Sequence, residues 1–161
     1  MEYAIENEYL IVTVTTWGAQ VKSVVRKFDD VEHMWQADKS VWGYHAPILF
    51  PHTGKVVDDL IETKGEVYQA KQHGFARLME HTLVRQTEDT IVMELRSSEE
   101  TLRIFPYAFR LVSTFTLDGD TLHHKLTVEN WDADKLYFGI GYHPAFTVPF
   151  DDEHTLSDYE L

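Results

Sequence analysis

The stretch Ala108-Phe109-Arg110-Leu111-Val112-Ser113-Thr114-Phe115-Thr116-Leu117-Asp118-Gly119-Asp120-Thr121-Leu122-His123-His124-Lys125-Leu126-Thr127-Val128-Glu129 decides the fold class. Phe109, Leu111, Ser113, Phe115 and Leu117 fall on every second position, as do Leu122, His124, Leu126 and Val128 after the break. A period of two puts one set of side chains on one face of an extended chain, the pattern of a half-buried strand. Asp118-Gly119 between the runs suits the positive φ angles of a two-residue turn, so the segment reads as a β-hairpin. Working outward, Tyr9 to Thr15 is a strand, and Trp17-Gly18-Ala19 turns into another from Gln20 to Arg26. His81 to Arg85 and Thr90 to Leu95 form a further pair joined through Gln86-Thr87-Glu88-Asp89. Ser97 to Arg103 can make one short helical turn, and no other helical period persists. No repeat, low-complexity tract or linker divides the chain, so residues 1–161 read as one all-β, sandwich-like domain.

Composition narrows the function. The 161 residues suffice for one sizeable core, and 43% hydrophobic with 25% charged residues is ordinary for a folded domain. Asp and Glu number 27 against 14 Lys and Arg, a formal net charge of −13. That surplus repels phosphate backbones and anionic lipid, so neither nucleic acid nor a membrane is an expected partner. With no cysteine, disulfides, thiolate catalysis and cysteine zinc sites are excluded. The acidic N-terminus lacks the basic and apolar regions of a signal peptide, and the expected compartment is the cytoplasm.

Two long non-periodic segments, Trp42 to Gly54 and Gln69 to Arg77, interrupt the strands. Irregular stretches rich in Pro, Gly, His and aromatic residues commonly lie over one mouth of a β scaffold and carry its function. His73-Gly74-Phe75-Ala76-Arg77 and Gly141-Tyr142-His143-Pro144-Ala145-Phe146 each set an imidazole in a rigid turn. An imidazole titrates near neutrality, so a positioned pair can donate hydrogen bonds and move a proton. Plainer roles stay open for the same residues. His143 beside Pro144 can cap a strand end, and Arg77 can anchor loop carbonyls. Trp42, Tyr44, Phe75, Tyr142 and Phe146 suit core packing as well as stacking on a ligand. His45 and His52 read as loop residues, and Asp151-Asp152-Glu153 as a solvated loop. His123 and His124 are adjacent in a strand and point to opposite faces, and no His-x-His pair is present, which argues against a cupin-like metal enzyme.

Pro47-Ile48-Leu49-Phe50-Pro51 with Gly54-Lys55, the His73 motif and the His143 motif, in that order, resemble the aldose 1-epimerase (galactose mutarotase) family, LacX-like branch. Trp17-Gly18-Ala19-Gln20-Val21, the Asp118-Gly119 hairpin and Leu126-Thr127-Val128-Glu129-Asn130 match in order too, so the resemblance covers about residues 8–161. It implies the N-terminal part of a galactose mutarotase-like β super-sandwich whose cleft binds an aldose. The implied reaction interconverts the α and β anomers of a hexose by acid/base ring opening. His143 would protonate the ring oxygen and His73 would hydrogen-bond near it, while Lys55, Arg77, Tyr142 and Phe75 would bind substrate. No metal or cofactor is implied, because no electrons move and the leaving oxygen stays tethered.

The chain departs from the family pattern in two places. Many relatives carry arginine where Lys55 stands, and lysine donates as a point charge without a planar fork. The family's general base is a glutamate on a C-terminal segment, whereas this sequence stops at Asp158-Tyr159-Glu160-Leu161, with Leu156, Tyr159 and Leu161 reading like the start of a strand. The expectation is a truncated or partial family member, and none of Glu80, Glu153 and Glu160 matches the missing base. A non-catalytic carbohydrate-binding protein on the same fold is therefore the alternative to an epimerase. Open sheet edges would also invite pairing with another copy, so a homo-oligomer is expected.

Overall fold

The computed structural model describes residues 1–160. Two four-stranded antiparallel sheets form its frame. The first has the order β1 (Glu2–Glu6), β2 (Leu10–Thr15), β3 (Val21–Arg26) and β4 (Val31–Glu32). Two residues, β5 (Ile48–Leu49), pair with a distant partner described below. An exposed hairpin, β6 (Leu60–Thr63) and β7 (Glu66–Gln69), stands apart. The second sheet is built from β8 (Thr82–Gln86), β9 (Thr90–Arg96), β10 (Phe109–Asp118) and β11 (Thr121–Asn130), in the spatial order β11-β10-β9-β8. Between β9 and β10 lies the one-turn helix α1 (Glu99–Leu102), capped where the Ser98 side chain accepts from the Thr101 N–H and Thr101 Oγ1 from the Ser98 N–H. Last comes β12 (Gly141–Tyr142), antiparallel to β5.

Alternation places the core. Along β10, Phe109, Leu111, Ser113, Phe115 and Leu117 are all buried, as the period of two requires. Val12 and Val14 of β2 and Ile91 and Met93 of β9 join them in one apolar cluster shared by both sheets. At its centre Phe50 meets Phe109, Phe105 and Phe75 at ring-centroid distances of 5.1, 6.0 and 6.1 Å, in tilted or edge-on arrangements. Truncating a buried phenylalanine of this kind to alanine costs about 3–5 kcal/mol. Phe50 thus fixes the start of the loop that later presents His73.

The hairpin turn sits one residue later than the Asp-Gly pair suggests. Asp118 pairs with Thr121, so Gly119 and Asp120 form the turn, and Gly119 supplies the positive φ of 57°. The carbonyl of Gly119 accepts from Asn7 Nδ2 at 2.7 Å, tying the turn to the β1–β2 connection. The C-terminal stretch also differs from expectation. Instead of beginning a strand, Leu156–Asp158 forms a 3-10 turn whose Thr155 hydroxyl and N–H both donate to Asp158 Oδ2, while Tyr159 receives the Phe150 N–H on its hydroxyl. Leu161 lies outside the described residues. No helix among them is long and apolar enough to cross a membrane.

Candidate functional site

The His73 loop is built onto the backbone of the Phe50–Gly54 segment. The carbonyl of Phe50 accepts from the N–H groups of Phe75 at 2.9 Å and Ala76 at 3.2 Å, and Gly74 forms a parallel bridge to Phe50. This approach requires glycine. A Cβ on Gly74, whose φ is +68°, would lie 2.1 Å from the Phe50 carbonyl oxygen. His73 itself adopts a φ of +67°, a conformation held from both sides by Gly54. The His73 N–H donates to the Gly54 carbonyl at 2.8 Å, and the Gly54 N–H donates to His73 Nδ1 at 3.0 Å.

That second bond defines the chemistry of the ring. A nitrogen that accepts an N–H carries no proton, so neutral His73 bears its hydrogen on Nε2. Burial, then the charges of Arg77 and His143, hold its pKa below the ordinary histidine value. When neutral, His73 is therefore a donor through Nε2, which lies 3.2 Å from Gln72 Nε2. Two N–H groups cannot bond to each other, so donation to Gln72 requires the amide turned to present its oxygen to the ring.

His143 arrives from the opposite direction. Pairing of β12 with β5 carries the chain past Pro47, whose carbonyl accepts the His143 N–H at 3.1 Å. The two imidazoles end with their centroids 6.5 Å apart and their planes at 63°. Trp42 packs against His143 at 4.9 Å, Tyr44 lies 5.6 Å from Trp42, and the Arg77 guanidinium stands 4.8 Å over the Tyr44 ring. Arg77 Nη2 donates to the Gln72 carbonyl at 3.1 Å. His73, His143, Trp42, Tyr44, Arg77 and Gln72 thereby form one chain of contacts, assembled from three segments of which the two histidines lie seventy positions apart.

The comparisons with known proteins show the family of this chain. The aldose 1-epimerase family model matches residues 1–161, the whole chain. The chain belongs to the aldose 1-epimerase family. Protein LacX of Lactococcus lactis subsp. lactis is 34% identical over 168 residues, which cover 100% of this chain and 56% of LacX. The galactose mutarotase related enzyme of Lactobacillus acidophilus superposes with a TM-score of 0.95 at 35% identity, covering 98% of this chain and 53% of that one. A galactose mutarotase-like protein from Lactobacillus casei gives a TM-score of 0.90 at 33% identity, over 95% of this chain and 52% of its own. The fold is thus galactose mutarotase-like and the branch LacX-like, and the chain spans about half the length of the relatives it matches.

Within this epimerase-family frame the other sequence candidates occupy distinct places. Lys55 directly follows Gly54 and is exposed, with a long 3.9 Å contact to Asp59. Phe75 points the other way, buried among Phe50, Phe105 and Phe109, and contributes its backbone N–H rather than its ring to the loop. Tyr142 alternates with His143 and faces away from the histidine pair. Its ring meets His124 edge-on at 4.6 Å, and desolvation pushes its hydroxyl above the ordinary tyrosine range. His124 in turn stacks on Phe115 at 4.2 Å, whereas its neighbour His123 is exposed.

The segment from Tyr142 to Phe146 is consequently two-sided. On its reverse lies an apolar groove of about 760 Å³, bordered by Tyr142, Pro144, Phe146, Leu122, His124 and Met34 and by neither His73 nor His143. His45 and His52 serve the backbone: each has a ring nitrogen on a carbonyl, of Trp35 at 2.8 Å and of Lys71 at 2.9 Å. Glu80 receives the Thr16 hydroxyl and lies 3.6 Å from the N-terminal ammonium, and Glu153 lies in an exposed loop. Among the described residues no hydrogen bond or ion pair brings a carboxylate to either His73 or His143. Gln72 escaped the sequence reading, although its place beside His73 was the available signal.

Proposed function

We propose that this chain carries the histidine half of an aldose 1-epimerase site and takes part in interconverting the α and β anomers of a hexose in the cytoplasm. The observation that carries this reading is the juxtaposition of the two imidazoles, with centroids 6.5 Å apart and His73 Nδ1 occupied by the Gly54 N–H. Ring opening needs a proton delivered to the pyranose ring oxygen while the anomeric hydroxyl loses one. In this reading His143 delivers the proton, and His73 Nε2–H binds close to the same oxygen and orients it. Because His73 Nδ1 is already occupied by the Gly54 N–H, this reading gives the proton-transfer role to His143. Lys55 and Arg77 donate to sugar hydroxyls at the rim.

A second reading, a carbohydrate-binding protein without turnover, is favoured by the placement of the carboxylates. Glu80 is occupied by Thr16 and Glu153 is remote in an exposed loop, so neither supplies the base. Exchange between the anomers of galactose and glucose, followed by NMR with this chain and with His143→Ala, separates the two. Faster exchange that His143→Ala abolishes supports the epimerase. Sugar-dependent shifts at His73 without faster exchange support binding alone, and no response to either sugar overturns both.

A further inference from the structure

We infer that Trp42 is a positioning residue for His143, fixing the plane of the imidazole from which the proton is delivered; this rests on the epimerase reading above. The starting point is how the histidines are held. His33, His45, His52, His73, His81 and His154 each engage a ring nitrogen in a polar contact. Neither ring nitrogen of His143 has such a partner among the described residues, and only its backbone N–H is anchored, to Pro47. An imidazole turns about two side-chain bonds, so a fixed Cα does not fix the ring. Free nitrogens suit a group that must meet substrate, but they leave its orientation to packing. The recorded ring contacts of His143 are Trp42 at 4.9 Å and the edge of His73 at 6.5 Å.

Trp42 is itself braced. Its N–H donates to the Asp38 carbonyl at 2.8 Å, and its carbonyl accepts from the Trp35 indole N–H at 2.8 Å. Asp38 is pinned in turn, because its Oδ1 accepts from the Ser40 N–H and hydroxyl at 2.8 and 2.7 Å. The same loop is stitched to the His143 segment: Trp35 N–H donates to the Ala145 carbonyl at 3.0 Å and Ala145 N–H to the His45 carbonyl at 2.9 Å. Loop and segment are thereby tied together, and the indole, in contact with Tyr44 at 5.6 Å and His143 at 4.9 Å, gives the imidazole an aromatic surface to rest on. A flat aromatic surface fixes a ring's tilt without consuming either nitrogen, which a hydrogen-bonding neighbour would do. This gives the aromatic residues of the Trp42–Tyr44 arm a function that core packing does not explain.

The test compares Trp42→Leu and Trp42→Phe with the unmodified chain. In sugar-free protein, Trp42→Leu is expected to shift the carbon-bound ring protons of His143 through loss of the indole ring current, and to broaden them as the ring samples other rotamers. Amide resonances of β9 to β11 should stay in place. In the anomer-exchange assay Trp42→Leu should lower kcat on the order of tenfold to a hundredfold with KM unchanged, the signature of misaligned chemistry rather than lost binding. Trp42→Phe keeps an aromatic face and should recover most of that loss; it also serves if Trp42→Leu disturbs the loop. Unmoved His143 ring resonances, or a Trp42→Leu variant with full kcat while His143→Ala is inactive, would overturn the inference. If His143→Ala leaves exchange unchanged, the epimerase reading falls separately. The ring resonances then decide Trp42 alone: shifted and broadened supports a wall that orients His143, unchanged removes it.

Discussion

The N–H of Gly54 donates to Nδ1 of His73 at 3.0 Å, and this single bond chooses which nitrogen of the neutral imidazole carries the proton. The expected consequence is spectroscopic. In ¹⁵N NMR at neutral pH, His73 Nδ1 should show the resonance of an unprotonated nitrogen and Nε2 that of an N–H. Titration should occur below the ordinary histidine pKa, since burial and the nearby Arg77 and His143 oppose a further charge. An Nδ1–H tautomer, or a midpoint above 6.5, would refute the donor role assigned to Nε2.

Gly74 tests how tightly the loop is seated. Its missing Cβ is replaced in space by the Phe50 carbonyl, 2.1 Å away, and no side chain relaxes that clash because both partners are backbone. Gly74→Ala should therefore cost more than about 3 kcal/mol in urea unfolding, or displace the His73 loop altogether. Gly65 provides the control. It has a φ of +76° and open space around its Cβ position, so Gly65→Ala should cost only the left-handed penalty of about 1–2 kcal/mol. Equal losses at the two positions would mean that the close approach to Phe50 is not maintained in solution.

The long strands were readable because their burial is one-sided. β2, most of β10 and the first half of β11 alternate in sequence as they alternate in the structure, whereas β9 is buried on both faces from Met93 to Leu95, and α1 lies within the expected Ser97–Arg103 turn. The β6–β7 hairpin escaped for the opposite reason. Its residues are largely exposed, so no core face imprints a period on Leu60–Thr63 or Glu66–Gln69, and only the left-handed Lys64-Gly65 pair marked the turn. β1 was hidden by its glutamates, since Ile5 is its only buried residue. At the site, the two histidine motifs were legible from glycine, proline and aromatic context. Their 6.5 Å juxtaposition was not, because it depends on β12 reaching β5 across the fold. Nor could local sequence tell that Phe75 and Tyr142 turn away from the pair: that follows from which backbone carbonyl each motif leans on.

On the second sheet, Glu94 is nearly buried, at 7% exposure, and is neutralised by two arginines. Arg110 Nε and Arg96 Nε each approach one of its carboxylate oxygens at 2.6 Å, and Arg110 Nη1 continues to Glu129 at 2.8 Å. These hydrogen bonds keep the Glu94 carboxyl below the ordinary range although burial opposes them. Removing Arg110 leaves this nearly buried carboxylate with Arg96 alone. Arg110→Met should cost roughly 1.5–3 kcal/mol, whereas the joint change of Glu94 and Arg110 to apolar residues should cost less than the sum of the two single changes. Denaturant unfolding of the four proteins of that cycle measures the coupling, and additive losses would show that Glu94 is solvated instead.

His124 should make stability depend on pH. Stacked on Phe115 with no partner for its Nε2, it has a pKa lowered by burial to about 4. In the unfolded chain the same imidazole titrates near 6.5, so between those values the unfolded state binds the proton that the folded state refuses. Stability from this group is complete above pH 6.5 and falls as pH drops towards 4. A gap of that size corresponds to roughly 3 kcal/mol. His81, also buried and held below its ordinary pKa, works in the same direction. His124→Leu should therefore flatten part of the decline between pH 7 and pH 4.5 in denaturant titrations, with His81 carrying the remainder. A variant whose stability declines as steeply as that of the parent would show that the imidazole reaches water in the folded protein.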